Sequence, residues 1–143
     1  RGLTVFAEVI DAVCMRLAEA GIFYYPGGDI EYKPEAGRVP VTAKRLPAKW
    51  DTAAAVNVYS QALPLPGSDT VMVSFQVHVR ASPTADILAD RAVEALHGVH
   101  AALWGSLHVD RCIHMNTAQL GADEKGLDHR TDNFQLIFHT KGN

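Results

Sequence analysis

An α+β fold is predicted: a single domain of two layers, in which a mixed or antiparallel four-stranded sheet is covered by two helices. Three observations predict it. Apolar residues recur every three or four positions in two segments, they alternate with period two in four others, and the segments follow the order helix, strand, strand, helix, strand, strand. With 143 residues, of which 48% are hydrophobic, the chain can fill one core and has no length for a second.

The first helix is expected over residues 3–20, where Phe6, Val9, Ile10, Val13, Cys14 and Leu17 fall on one stripe and Glu8, Asp11, Arg16 and Glu19 fall outside it. Thr4 can accept a hydrogen bond from a free amide of the first turn, and Gly21 can take the left-handed conformation that ends the helix. Between 22 and 49, Pro26, Gly27, Gly28, Pro34, Gly37, Pro40 and Pro47 interrupt every candidate element, so an ordered, winding connection is expected. Its Phe23, Tyr24, Tyr25 and Tyr32 suit cover for the domain's own core, or an interaction surface.

Two strands follow, over 54–59 and 71–80. The second sets Val71, Val73, Phe75, Val77 and Val79 on one face and Met72, Ser74, Gln76, His78 and Arg80 on the other. The link between them, stiffened by Pro64 and Pro66, is too long for a tight turn. It predicts a long-looped antiparallel pair, with Leu63 and Leu65 either exposed for a partner or folded back onto the sheet. A second helix is expected to start at Ser82 and Pro83, to carry Ile87, Leu88, Ala92, Ala95 and Leu96 on one stripe, and to end at Gly98, unless apolar residues 99–104 prolong it and add Val99 to that stripe. The last third reads as a hairpin of strands over 109–118 and 129–140 around the polar loop 121–126. Phe134, Leu136 and Phe138 make one of its faces apolar.

A formal charge of -3 and a pI near 6.1 argue against the broad basic surface of a nucleic-acid reader. Cys14 and Cys112 both sit in apolar patterns and are expected to be reduced core thiols. No apolar run is long enough for a bilayer and no basic-then-apolar leader precedes one, so neither a membrane span nor secretion is expected. Among seven histidines, His97 and His100 would share a helix face and His114 could approach them, the minimum for a three-ligand zinc centre. No HExxH, CxxC or acidic pattern accompanies them, so no metal and no cofactor are expected. The serines lack a GxSxG elbow, and Gly27 and Gly28 are not followed by a lysine and a helix start. Asp86, Asp90 and Glu94 read as a solvated helix face, and Asp123, Glu124 and Asp128 lack the spacing of an EF-hand.

Taken together, the segments resemble the tail terminator proteins of long-tailed phages, the minor capsid group common in phages of actinobacteria. The resemblance is carried by Gly21-Ile22-Phe23-Tyr24-Tyr25-Pro26-Gly27-Gly28 after the first helix, and by Leu46-Pro47 followed by Ala53-Ala54-Ala55-Val56-Asn57-Val58-Tyr59. It continues through the long strand up to Arg80 and the helix residues from Asp86 to Gly98. It closes on Gln119-Leu120-Gly121-Ala122-Asp123-Glu124-Lys125-Gly126 with Arg130-Thr131-Asp132-Asn133-Phe134. The chain departs from that pattern in the basic Lys44, Arg45 and Lys49 and in lacking a glycine-rich link over 99–107.

The resemblance implies a structural virion protein without enzymatic activity, a hexameric ring that caps the tube of major tail protein, stops its growth and meets the head–tail connector. It implies a place at the head–tail junction of the virion, assembly in the host bacterial cytoplasm, no membrane, and phage DNA passing through the lumen without specific binding. Head-completion and other connector proteins are the alternative, with a small metal enzyme or a nucleic-acid module further off. A closed ring needs one heterologous interface repeated by rotation. Leu63 and Leu65 on one loop, and Gly121, Asp123, Glu124, Lys125 and Gly126 on the other, are the expected contacts to neighbours or tube.

Overall fold

The computed structural model describes residues 5–27, 30–35, 37–62 and 66–139. Helix α1 (Val5–Glu19) is followed by β1 (Phe23–Tyr24), β2 (Val39–Ala43), β3 (Ala53–Ala62) and β4 (Thr70–Ala81), then by α2 (Asp86–Leu96), β5 (His100–Trp104), β6 (Leu107–Ala122) and β7 (Asp128–His139). All seven strands lie in one sheet of order β1-β2-β3-β4-β7-β6-β5. β1, β2 and β3 pair in parallel and the remaining neighbours antiparallel.

The expected four-stranded sheet is thus corrected to seven mixed strands curled into a half-barrel, with two helices. The four expected strands are present as β3, β4, β6 and β7, and three shorter ones extend them at the flanks. β1 and β2 come from the stretch read as a winding connection; Pro40 lies in β2 opposite Tyr24, near the sheet's edge, where a missing amide is tolerated. β5 comes from residues read as a possible continuation of the second helix. Trp104 pairs with Leu107, leaving Gly105 and Ser106 as a two-residue hairpin turn, with Gly105 at φ 60°.

Both helices cover one face. α1 buries Val9, Ile10, Ala12, Val13, Cys14 and Leu17, the expected stripe except for Phe6, which is exposed. Thr4 lies outside the described residues. α2 buries Ala89, Ala92, Ala95 and Leu96, and Ile87, expected on that stripe, is 66% exposed. The helix starts at Asp86 rather than at Ser82, which places its buried stripe on small residues. Thr84 Oγ1 accepts from the Asp86 amide at 3.1 Å, and Asp128 Oδ2 of β7 accepts from the Ala85 amide at 2.7 Å. Beneath the helices, Val73, Phe75 and Val77 of β4 meet Phe134, Leu136 and Phe138 of β7 in one buried cluster. The Phe75 and Phe134 rings stack at 5.0 Å, as facing residues of the paired strands.

Four β-bulges curl the sheet. The register of β3 skips Tyr59, and that of β6 skips Asp110, Met115 and Leu120. An extra residue on one strand bends it and adds local twist. Register also fixes where the hairpins point. Thr70 faces His139 and Ala81 faces Asp128, so the β3–β4 and β6–β7 hairpins turn at opposite ends of the sheet.

Candidate assembly surfaces

Leu63 and Leu65 lie outside the described residues. The loop from Gly121 to Gly126 is tightly built. Asp123 Oδ1 accepts from the amides of Lys125 at 2.8 Å and Leu127 at 3.0 Å, and the Gly126 amide donates to the Asp123 carbonyl at 2.9 Å. Gly126 sits at φ 80°, a conformation that a side chain would strain. Asp123 Oδ2 is 2.8 Å from His129 Nε2; this bond and the two amides hold the carboxyl down to about 2. Asp123 therefore builds the turn, while Glu124 and Lys125 point into solvent. Lys125 is 3.9 Å from the equally exposed Asp51, a pair of little energetic weight.

Five of the seven histidines fall into three cross-strand clusters. His78 Nε2 lies 2.8 Å from His129 Nδ1, which extends the bond to Asp123 into a chain. Burial first, then His129 and Arg80, push the His78 imidazole down to about 4. His108 stacks on His139 at 5.2 Å, whose Nδ1 is 3.0 Å from Asp110. His114 Nε2 meets Asp132 Oδ1 at 2.8 Å and Thr117 Oγ1 at 3.2 Å. Both partners use the same ring nitrogen, so this trio cannot relay a proton from a nucleophile to a carboxylate through the ring, which needs both nitrogens.

His97 follows α2 and His100 opens β5, so they do not share a helix face as expected. Instead His97 Nδ1 accepts from the His114 amide at 2.9 Å. Among the described residues no group of three or more His, Cys, Asp or Glu side chains could hold a metal ion. Cys14 and Cys112 are free and buried; burial pushes both thiols up, Cys112 to about 12, which keeps them inert.

One polar cluster eluded the sequence reading. Arg130 and Asp132, 7% and 1% exposed, lie beneath α2. Arg130 contacts Asp132 at 3.0 Å, Asp86 at 3.1 Å and Asp90 at 2.9 Å. Burial opposes its charge, yet the three carboxylates more than offset this and raise its pKa. Asp86, read as a solvated carboxylate, is held below its usual range by hydrogen bonds from Gln119 and Arg130. The signal available in the sequence was a charged pair, Arg130 and Asp132, two residues apart on the apolar face of a strand.

On the helix-free face, Gln76 Nε2 donates to Asn133 Oδ1 at 3.0 Å and Asn133 Nδ2 donates to Asn116 Oδ1 at 2.7 Å. With Asn57 paired to Gln76, four strands contribute to one row of amides. An open cleft of about 480 Å³ is lined by Glu35, Arg38, Lys49, Trp50, Asp51 and Thr52. No family model matches the chain, and neither does any curated protein.

Proposed function

We propose that this protein is a ring-forming tail terminator of a long-tailed phage, capping the tail tube, ending its polymerisation and joining it to the head–tail connector. The observation that carries the reading is that the β3–β4 and β6–β7 hairpins turn at opposite ends of one curled sheet. Such a body can engage different neighbours at its two ends, which a heterologous ring between tube and head requires. The segment resemblance supports the same reading, as do the charge clusters at the Asp123 turn and under α2, which tie the fold together. A face whose central row is amides, on a mildly acidic chain, would let DNA slide past without the cationic contacts that bind phosphate.

Deletion of the gene in its phage, followed by electron microscopy, tests this. The expected result is tails of uncontrolled length beside full heads. Normal tails with leaking heads would overturn the terminator role in favour of head completion. Replacing Leu63 and Leu65 with serine is expected to reduce ring formation with the monomer still folded; unchanged rings and titre would remove that loop from the interface.

A further inference from the structure

The sheet leaves two stretches of strand edge open. β2 accompanies β3 only as far as Val56, where the Lys44 amide closes the ladder on the Val56 carbonyl at 2.7 Å. β5 accompanies β6 only up to Arg111, and contacts from residues 97–99 extend the cover to His114. Among the described residues, the outer backbone of 57–62 on β3 and of 115–122 on β6 has no strand beside it. Soluble proteins usually blunt such edges with charge, proline or a bulge, and of these only bulges are present here. Neither stretch holds a Lys, Arg, Asp, Glu or Pro.

Each edge instead presents large apolar side chains, and each of these is the extra residue of a bulge. Tyr59 on β3 is 53% exposed, and Met115 and Leu120 on β6 are 54% and 56% exposed. A bulge re-aims its side chain away from the regular alternation. The flanking charges are complementary. Lys44 and Arg45, exposed, stand where β2 leaves β3, and neither has an ion-pair partner among the described residues. Beside the β6 edge, Asp86 and the exposed Asp90 share the guanidinium of Arg130, with Gln119 of β6 bonded to Asp86 at 2.7 Å.

We propose that the occupant of each edge is a second copy of this chain: the β3 edge of one copy pairs with the β6 edge of the next, placing Tyr59 against Leu120 and the basic flank against the acidic one. This deepens the ring reading by naming the interface. β3 and β6 run antiparallel within one sheet, so a neighbour related by rotation presents them antiparallel across the junction. The free stretches lie toward opposite ends of the sheet, and joining them staggers adjacent copies along the strands. Closure into an annulus then requires strands inclined to the ring axis, as in any closed barrel.

Tyr59→Lys and Leu120→Lys alter exposed positions, and circular dichroism checks that both variants remain folded. Light scattering on concentrated protein is expected to show oligomers for the natural sequence and monomers for each variant. Mixing the two variants should restore a one-to-one dimer and nothing larger, because one intact edge of each remains. Monomers that stay monomeric on mixing, or variants that assemble like the natural sequence, would overturn edge pairing. So would a natural chain that is monomeric at every concentration. Tail length in the deletion phage judges the terminator reading independently of these outcomes.

Discussion

At the scale of single residues, the buried charges carry the largest consequences. Asp132 is the partner that lets Arg130 lie under α2, and it also accepts from Thr117 and meets His114. Removing one member of a buried ion pair leaves an uncompensated charge and costs about 3–5 kcal/mol. Asp132→Ala is therefore expected to lower the melting temperature by roughly 10 °C, read by calorimetry. Loss of less than about 1 kcal/mol would mean that Asp86 and Asp90 suffice for Arg130. His78 sets a pH response. Its folded pKa, about 4, lies below the unfolded value of 6.5, so between these values the unfolded chain binds more protons. Stability is therefore full above pH 6.5 and falls as pH drops toward 4. Asp123 continues the loss as pH falls from 3.8 toward 2, since its carboxylate is the form the turn stabilises. His78→Gln should flatten the decline of the urea midpoint between pH 7 and pH 5; an unchanged slope would assign the titration elsewhere.

At the scale of elements, α2 packs through alanines. Ala89 and Ala92 are 0% and 1% exposed against the sheet, and inserting a larger side chain there overpacks the contact at a cost of about 1–3 kcal/mol. Ala92→Leu should destabilise by that amount in denaturant titration, whereas Ile87→Ser should change stability by less than about 0.5 kcal/mol. Equal effects would mean that the exposed and buried faces of the helix were wrongly assigned. The four long strands and both helices were legible because each repeats its apolar period over several turns or pleats. β5 had a local signal, the Gly105-Ser106 turn between apolar residues, but residues 99–104 also allow a continuation of the second helix. β1 and β2 had none: two and five residues long, they become strands only because β3 offers an edge, and proline-rich sequence gives no period to read. The bulges were equally silent, since Tyr59, Met115 and Leu120 look like ordinary members of alternating strands.

At the scale of the whole molecule, opposite-edge pairing predicts that stability depends on assembly. Binding that exists only in the folded state raises the melting temperature with protein concentration. That rise is expected for the natural sequence and should vanish in Leu120→Lys; a concentration-independent melting point in both would count against association in the folded state. The sequence by itself determined the two amphipathic helices, the four main strands and the burial of Phe75, Phe134, Leu136 and Phe138, because local periodicity already states which side of an element avoids water. Only the tertiary structure decided the strand order, the opposite directions of the two hairpins, the seating of Arg130 among three carboxylates and the two unpartnered edges. Those depend on which strand lies beside which and where the register skips, and both are settled by contacts between residues far apart in the chain.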